Sequence, residues 1–244
     1  MDEEKQYLIC GATSDLASAF LDTISQPASV VLVGRDQVKL DTVAVPQRCK
    51  TERFICDLAD DIAVKALVKK FKSANFKFDG VLCAAGSHEV LPLRLYSKDK
   101  FSTMFDNNFF TVSTVLSAVS PVLAMGAGIV VPSSAVTQRG AVTVAGYASA
   151  KAAVEGLVRA AALEYAPKKV RVNAIAPGVF RSKMSERFLN SFNDAQRSFL
   201  EASHPLGIGD VSHVAGCIKF LMSADSAWIT GQTLVVDGGY SINA

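Results

Sequence analysis

The sequence predicts an α/β fold in which a doubly wound parallel β-sheet is covered by helices on both faces. Short apolar runs rich in Val, Ile and Leu alternate with longer segments of helical spacing along the 244 residues. Strands that form continuous apolar runs are buried on both faces, and parallel neighbours need crossover helices between them. No shift in composition and no Gly/Ser/Pro-rich linker divides the chain. We therefore expect a single domain over residues 1–244 with about seven strands.

The individual elements follow in order along the chain. Apolar residues at helical spacing predict helices, for example over residues 62–71, 101–119 and 211–222. The longest uncharged stretch contains Pro121 and Pro132, which divide it into a helix, a turn and a buried strand rather than a membrane span. The predicted strands cover residues 7–10, 30–33, 53–56, 80–84, 128–131, 170–175 and 233–236.

Residues 179–210 interrupt this alternation. They contain a polar, aromatic-bearing helix candidate over residues 184–202, followed by a segment with Pro and Gly. An excursion of this length outside a compact sheet is usually a functional lid or a pocket wall, so we expect it to border the substrate site. A solvated surface helix is the alternative interpretation.

The composition argues against several classes of protein. The 25 Lys and Arg against 23 Asp and Glu give a formal charge of +2, which is too small for a concentrated basic surface that binds nucleic acid. Residues 1–5 are acidic, unlike a signal peptide, and the five cysteines are scattered through apolar segments. We therefore expect free thiols, a cytoplasmic location, no membrane partner and no nucleic-acid partner.

Metal chemistry is not expected either. The sequence has neither a Cys-x-x-Cys pair nor two histidines at ligand spacing, so no metal site is predicted. The three histidines are predicted to be loop or surface residues: His88, His204 and His213.

The turn between the first strand and the first helix has the features of a phosphate site. Gly11 permits a tight turn, and the helix N-terminus that follows would present free N–H groups to an anion. Thr13 and Ser14 offer hydroxyls to a diphosphate, and Leu16 completes the predicted contacts. Asp15 is also placed in this set, as a helix N-cap with its carboxylate bonded back into the helix. A plain capped helix without a ligand is the alternative, since only one of the expected glycines is present.

Two further strand ends carry residues suited to a nucleotide. An acid at the end of the second strand would bind a ribose diol and indicate NAD, but Gly34 and Arg35 stand there instead. Arg35 offers a planar cation to a 2′-phosphate, so we predict NADP(H) as the cofactor. Asp57, followed by Leu58, is placed after the third strand to accept a hydrogen bond from an adenine amine. A surface arginine and a turn-forming aspartate are the alternatives.

A tyrosine and a lysine four positions apart supply the predicted chemistry. Tyr147 and Lys151 fall on one face of a long Ala-rich helix, where the ammonium would lower the pKa of the phenol towards the working range. Such a pair can pass a proton to or from a carbonyl oxygen. The same spacing occurs twice more, and we interpret both matches as coincidental: Tyr96 with Lys100, and Tyr165 with Lys169.

Two polar residues earlier in the chain complete the set. Ser134 lies just beyond the carboxyl end of a predicted strand, where ligands of open α/β sheets bind, and can donate a hydrogen bond to the same carbonyl oxygen. Asn108 lies within the helix pattern of residues 101–119, among phenylalanines. A buried amide there needs a partner, and simple satisfaction within the core is the alternative to a catalytic role.

With these residues in order, the chain resembles the short-chain dehydrogenase/reductase family over essentially its whole length. The catalytic Asn, Ser, Tyr and Lys of that family fall on Asn108, Ser134, Tyr147 and Lys151. The family's Asn-Asn-Ala-Gly segment corresponds to residues 83–86, which implies cofactor contacts at Ala84, Ala85 and Gly86. Residues 229–232 and 236–239 match its closing strand. The family's Pro-Gly turn implies further cofactor contacts at Pro177, Gly178, Val179 and Ser182.

The resemblance implies a Rossmann fold and a role for each of these residues. Tyr147 would protonate the carbonyl oxygen while Ser134 polarises it. Lys151 would lower the pKa of Tyr147 and bind the nicotinamide ribose. Asn108 would hold a water in the proton relay, and Ser182 stands where a threonine usually binds the nicotinamide amide.

The chain departs from the family pattern in two places. Asp15 and Ala17 replace glycines in the phosphate turn. Cys83 and Ala84 replace two asparagines, so the hydrogen bonds that brace the central strands must be made by other groups.

These features predict an NADPH-dependent carbonyl reductase or alcohol dehydrogenase. The pattern is similar to that of 3-oxoacyl-[acyl-carrier-protein] reductases, which implies a 3-oxoacyl thioester or a similar ketone as substrate. The alternatives are an oxidoreductase acting on a sugar, a steroid or a cyclic ketone, and a non-catalytic dinucleotide sensor. Family members commonly form dimers or tetramers, and the helix of Tyr147 is rich in small residues, so we expect a homo-oligomer, a homotetramer included.

The substrate pocket is predicted to take its walls from residues 87–97, 135–146 and 179–209. Apolar residues in these segments suggest an apolar substrate body: Val90, Leu91, Leu93, Phe188, Leu189 and Phe192. Four cations are placed to meet an acidic partner at the rim or to be merely solvated: Arg139, Arg181, Lys183 and Arg187.

Overall fold

The computed structural model describes residues 4–190 and 192–243, without the side chains of Arg187 and Phe188. Nine strands occur in this part of the chain: β1 Lys5–Cys10, β2 Ala28–Gly34, β3 Cys49–Ile55, β4 Phe78–Cys83, β5 Leu123–Pro132, β6 Arg171–Pro177, β7 Phe180–Arg181, β8 Gly209–Asp210 and β9 Thr233–Val236. Seven of them form one sheet in the order β3-β2-β1-β4-β5-β6-β9, and every neighbouring pair is parallel. The predicted doubly wound α/β fold is therefore confirmed.

Helices cover both faces of this sheet. One apolar layer of the core lies under α3, α5 and α6, and the other lies under α1, α2 and α9. The helices of the described residues are α1 Asp15–Asp22, α2 Gln37–Asp41, α3 Asp61–Ser73, α4 Lys98–Phe105, α5 Thr111–Ala118, α6 Ala145–Tyr165, α7 Lys183–Leu189, α8 Asp194–Ala202 and α9 Val211–Met222. Within the described part of the chain, no helix is both long and apolar enough to cross a membrane.

The helix predicted over residues 101–119 is interrupted. A π-helical turn, Asp106–Phe110, separates α4 from α5 and holds the buried Asn108. Such single-turn widenings occur frequently at functional sites, because they change the direction of one side chain without ending the helix.

The excursion predicted over residues 179–210 is closed at its base by two short parallel strands, β7 and β8, which the sequence did not indicate. The single polar helix expected over residues 184–202 is wrong, because α7 and α8 are separate helices. A second start signal explains the break: Asn193 accepts a hydrogen bond from the backbone N–H of Gln196, whose side chain accepts in return from the backbone of Asn193.

Candidate active site

The turn after β1 lies tightly against the end of β4, at the point where the strand order of the sheet reverses. The N–H groups of Gly11 and Ala12 both donate to the carbonyl oxygen of Val33, at 2.9 and 3.1 Å. Gly11 has a φ of +79°, and a Cβ there would lie 2.3 Å from the backbone nitrogen of Ala85. Only glycine fits this position, because it must both adopt the left-handed conformation and let two backbones touch.

Ser14, and not Asp15, caps α1. The Ser14 hydroxyl accepts from the N–H of Ala17 at 3.2 Å. The Asp15 carboxylate instead accepts a 2.6 Å hydrogen bond from the N–H of Lys183, at the start of α7. The expectation that Asp15 bonds back into its own helix is therefore wrong. Thr13 is exposed. The side chain of Leu16 is buried in the core, so Leu16 can contact a ligand only through its backbone.

The end of β2 presents an arginine and an occupied carboxylate. Arg35 is exposed and has no ion-pair partner within residues 4–190 and 192–243. The carboxylate of Asp36 accepts from the N–H of Lys39 at 3.1 Å and pairs with the Lys39 ammonium at 3.3 Å. The acid beside Arg35 is thus used as the N-cap of α2.

The third predicted nucleotide contact forms a turn. The carboxylate of Asp57 accepts from the N–H of Ala59 at 3.0 Å, which is the turn-forming alternative seen in the sequence. Leu58 is buried, and its carbonyl oxygen accepts a hydrogen bond from the hydroxyl of Thr114. This second contact fixes the end of β3 to α5.

Three of the predicted catalytic residues meet beyond the end of β5. Tyr147, in the first turn of α6, lies beside the hydroxyl of Ser134. The Lys151 Nζ, one turn further along α6, lies 5.7 Å from the centre of the Tyr147 ring and donates to the carbonyl oxygen of Pro132 at 2.8 Å. The structure thus brings a half-buried phenol together with a hydroxyl and an ammonium from buried residues.

Burial controls the protonation of this cluster. It raises the pKa of Tyr147 to about 12, although the nearby Ser134 hydroxyl acts in the opposite direction. Burial also lowers the pKa of Lys151 to about 8. In this arrangement the pKa of Tyr147 is raised and not lowered as predicted, because loss of solvation is the largest contribution.

Asn108 clamps the loop after β4. Its side-chain amide donates to the carbonyl oxygens of Ser87 and Met104, at 2.9 and 3.0 Å, and its oxygen accepts from the N–H of Ser87 at 3.2 Å. Both N–H groups of the amide are used in hydrogen bonds within the chain, as expected if this buried amide is simply satisfied within the core. A Cβ on Gly86 would lie 2.8 Å from this amide oxygen and 3.6 Å from the Lys151 Nζ.

The two residues that replace the family's asparagines are accommodated by the backbone. The N–H of Ala84 donates to the carbonyl oxygen of Cys10 at 2.7 Å, which ties β4 to β1. Cys83 is buried beside Cys10 in the register of these strands. The described cysteines are all free thiols.

The Pro-Gly turn after β6 is held by backbone contacts from two directions. The N–H of Gly178 donates to the carbonyl oxygen of Val236 at 3.0 Å, and a Cβ on Gly178 would lie 2.8 Å from the Cα of Asp237. The N–H of Val179 donates to Nε2 of His204 at 3.2 Å. Pro177 ends β6, so the turn begins where the sheet stops.

Ser182 follows this turn and exchanges hydrogen bonds with Ser185. Its N–H donates to the Ser185 hydroxyl at 2.9 Å, and its own hydroxyl accepts from the N–H of Ser185 at 3.1 Å. Ser182 therefore caps α7, directly before the first helical residue, whose N–H Asp15 binds.

Two histidines and one glutamate have partners that the sequence did not indicate. His204 lies in a loop, as predicted, but is only 3 % exposed, and its ring stacks on Tyr240 with centroids 4.9 Å apart. His88 lies edge-to-face against Tyr147. Glu155 is buried and accepts 2.6 Å hydrogen bonds from the hydroxyls of the residues that flank the Ser134 segment, Ser133 and Thr137. A charged residue four positions after Lys151 on an apolar helix face was the available signal for Glu155.

The predicted rim cations are engaged within the chain. Arg139 donates to the carbonyl oxygen of Tyr240 at 2.9 Å, and Arg181 pairs with Asp210 at 3.2 Å. Lys183 pairs with Asp15 at 3.7 Å, and the side chain of Arg187 lies outside the described ones.

The predicted apolar wall is partly open. Val90 and Leu93 are 42 % and 65 % exposed, whereas Leu91, Leu189 and Phe192 are half-buried. The side chain of Phe188 also lies outside the described ones.

Comparison with known proteins places this geometry in a family. Residues 17–241 match the protein family described as enoyl-(acyl carrier protein) reductase. The chain is 30% identical over 246 residues to 2,5-dichloro-2,5-cyclohexadiene-1,4-diol dehydrogenase from Sphingobium indicum, covering 97% of both chains. It is also 30% identical over 241 residues to 3-oxoacyl-[acyl-carrier-protein] reductase from Rickettsia prowazekii, covering 96% of both.

Solved structures agree with these relatives. Levodione reductase superimposes with a TM-score of 0.88 at 25% identity, covering 98% of both chains. NAD⁺-bound xylitol dehydrogenase superimposes with a TM-score of 0.88 at 26% identity, covering 98% of this chain and 100% of the other. The chain therefore belongs to the short-chain dehydrogenase/reductase family of nicotinamide-dinucleotide-dependent oxidoreductases.

Proposed function

We propose that this protein is an NADPH-dependent ketone reductase in which Tyr147 is the proton donor. The observation that carries the proposal is the cluster beyond the end of β5, in which Tyr147 lies beside the Ser134 hydroxyl and the Lys151 Nζ is 5.7 Å from the centre of its ring. With its pKa raised to about 12, Tyr147 is protonated at neutral pH, which is the form that gives a proton to a carbonyl oxygen. Ser134 is placed to donate a hydrogen bond to the same oxygen as negative charge develops there.

The residues around the first turn fit a dinucleotide. The N–H groups of Asp15 and Leu16, at the start of α1, have no acceptor among the described residues, so they can bind a diphosphate. When bound, the nicotinamide supplies the hydride that reduces the carbonyl carbon. Lys151 would hold its ribose, and Ser182 and the Pro177–Gly178–Val179 turn would face its amide. Gly11, Thr13, Ser14, Ala84, Ala85 and Gly86 would border the dinucleotide between these points.

Asn108 acts, in this proposal, through the loop that it clamps. Both of its amide donors are used, so its side chain fixes Gly86 and Ser87 beside Lys151. The water of the family's proton relay would then bind the Asn108 backbone or the second lone pair of the Asn108 side-chain oxygen.

The preference for NADPH is inferred from the end of β2. An exposed guanidinium at Arg35 suits a 2′-phosphate. The neighbouring carboxylate of Asp36 is committed to Lys39, so it competes less well for a ribose diol. Asp57 and Leu58, after the end of β3, would contact the adenine.

The substrate we propose is a ketone free in solution, with a 3-oxoacyl thioester as the second candidate. Two of the four cations that could have met an acidic carrier protein, Arg139 and Arg181, are hydrogen-bonded within the chain, which favours a free ketone. A cyclic ketone is supported by the names of two relatives, the cyclohexadienediol dehydrogenase and a cyclohexanol dehydrogenase from Acinetobacter, which is 30% identical over 250 residues and covers 97% of this chain.

The proposal is tested by measuring enzymatic turnover. The oxidation of NADPH and of NADH would be measured with cyclohexanone, a cyclohexanedione and an acetoacetyl thioester as substrates, with Tyr147→Phe as the matched control. We expect turnover with NADPH and a loss of roughly 10²- to 10⁴-fold in the variant, which retains dinucleotide binding. Dinucleotide binding without turnover of any carbonyl would instead support the non-catalytic sensor.

We also infer a homo-oligomer. The small residues of α6 lie in two environments: Ala150 is fully buried within its own chain, whereas Ala160 and the neighbouring Leu163 are exposed. An exposed apolar helix face supports contact with a second copy. Light scattering during size-exclusion chromatography gives the mass, and Leu163→Glu should lower it.

A further inference from the structure

A single carboxylate connects the phosphate turn to the substrate excursion. Asp15 Oδ2 accepts a 2.6 Å hydrogen bond from the N–H of Lys183, 168 positions further along the chain. Asp15 Oδ1 lies 3.7 Å from the Lys183 ammonium, whose side chain is 87% exposed. The short contact is therefore with the backbone, and the ammonium adds a distant, solvent-screened partner.

The connection fixes the first residue of α7. N–H groups in the first turn of a helix lack partners within the helix, so a carboxylate from another element stabilises the helix start. Ser182, the residue proposed to face the nicotinamide amide, directly precedes the held N–H and is itself bonded to Ser185. Asp15 thus determines where α7 begins relative to the dinucleotide cleft.

The same carboxylate opposes an anion. It belongs to the residue whose backbone N–H, with that of Leu16, is proposed to bind the diphosphate. A negative charge beside these N–H groups repels a diphosphate. The Lys183 ammonium is too exposed to offset this repulsion.

We propose that Asp15 is a positioning residue that straps α7 to the phosphate turn and weakens dinucleotide binding in doing so. The strap is the hydrogen bond to the Lys183 N–H, and the weakening comes from the negative charge. The second part rests on the proposed function, since it requires the dinucleotide to lie in this cleft.

Four variants separate the hydrogen bond from the charge. Asp15→Asn removes the charge but keeps an oxygen that accepts from the Lys183 N–H. Asp15→Ala removes both. Lys183→Pro removes the N–H and keeps Asp15, at the first position of a helix, where proline is tolerated. Lys183→Ala is its matched control, because it keeps the N–H and loses only the ammonium.

Two readouts follow. Cleavage by chymotrypsin without dinucleotide reports how often α7 opens, and fluorescence titration with NADPH reports affinity. We expect Asp15→Ala and Lys183→Pro to be cleaved about tenfold faster than the wild type, and Asp15→Asn and Lys183→Ala at close to its rate. We expect both Asp15 variants to bind NADPH about three- to tenfold more tightly, with a gain that shrinks at high salt, and Lys183→Pro to show no gain.

Three outcomes would contradict the proposal or part of it. Wild-type cleavage rates in both Asp15→Ala and Lys183→Pro would overturn the strap. Unchanged NADPH affinity in Asp15→Asn would overturn the effect of the charge. A wild-type protein that binds no dinucleotide would overturn the proposed function together with the charge effect, while the cleavage rates would still decide the strap.

Discussion

The imidazole ring of His88 lies edge-to-face on the ring of Tyr147, with centroids 4.9 Å apart and planes at 77°. Burial lowers the pKa of His88 below its usual value of 6.5, so the ring is neutral at pH 7 beside the half-buried phenol of Tyr147. Acidification places a cation against the proposed proton donor and requires His88 to be solvated.

We therefore expect kcat/KM for carbonyl reduction to fall on the acid side, below the usual histidine pKa of 6.5, as His88 gains its proton. His88→Phe keeps an aromatic ring against Tyr147 and removes the titrating group. The acid limb should disappear from the pH profile of this variant. An acid limb of unchanged position in His88→Phe would assign it to another group.

Lys151 sets a limit on the basic side. Its pKa is lowered by burial to about 8, so it is charged below pH 8 and loses its proton as the pH rises through that value. If the ammonium holds the nicotinamide ribose, the Kd for NADPH should rise above pH 8, by up to about tenfold for the loss of one charge-assisted hydrogen bond. Fluorescence titration across pH 6–10 measures this. Lys151→Met should bind weakly at every pH, and a break at pH 8 that persists in it would contradict the assignment.

Arg35 should decide between the two nicotinamide dinucleotides. Arg35→Gln removes the cation that is proposed to meet the 2′-phosphate, so kcat/KM for NADPH should fall about tenfold or more while that for NADH changes little. Steady-state kinetics with both dinucleotides provide the ratio. Arg53, whose guanidinium is bonded to the carbonyl oxygens of Leu40 and Val43, offers a control arginine on the adjacent strand. An equal loss with NADH would show that Arg35 supports the fold and not the phosphate.

Glu155 should stabilise the segment that carries Ser134. One of its carboxylate oxygens accepts two 2.6 Å hydrogen bonds, from Ser133 and Thr137, and the residue is 8 % exposed. Glu155→Ala removes the acceptor that the two hydroxyls share. Thr137 keeps the carbonyl oxygen of Ser134 at 2.7 Å as an acceptor and Ser133 keeps that of Lys151 at 3.5 Å, so the free energy of unfolding should fall by about 2 kcal/mol. Glu155→Gln keeps a carbonyl oxygen there and should lose less than half of that. Urea denaturation measures both, and an equal loss in the two variants would assign the effect to packing.

The predicted elements succeeded where a strand is buried on both faces. Each of the seven predicted strands overlaps a strand of the sheet, and three of them extend one residue beyond it, at residues 56, 84 and 170. β3 begins four residues earlier than residue 53 and β5 begins five residues earlier than residue 128. β3 is an edge strand. Its first residues include the exposed Lys50 and Glu52, so they do not form the continuous apolar run by which the other strands were predicted. The start of β5 passes through Gly126 with a φ of +77°, a conformation that composition does not reveal.

The sequence predicted that Tyr147 and Lys151 lie together, but it did not predict the pKa of Tyr147 correctly. Tyr147 and Lys151 could be paired because helical spacing is a local property. Their pKa values depend on how much solvent the folded chain removes, which no local pattern contains. Adjacent Ser14 and Asp15 are both good N-caps, and the choice between them depends on Lys183, far along the chain. His204 was missed for the same reason, since its partners Val179 and Tyr240 are distant.

The π-helical turn at Asp106–Phe110 has a geometric consequence for the residues on either side. Met104, Asn108 and Val112 are spaced at intervals of four, and all three are buried. On a regular α-helix each such step advances about 40° around the axis, so the third residue would turn away from the core. The wider turn absorbs this drift and keeps the three side chains in phase. Deleting one residue from the turn should yield a straighter helix whose Asn108 no longer points at Ser87, so the irregular backbone is what aligns the amide with the loop it clamps.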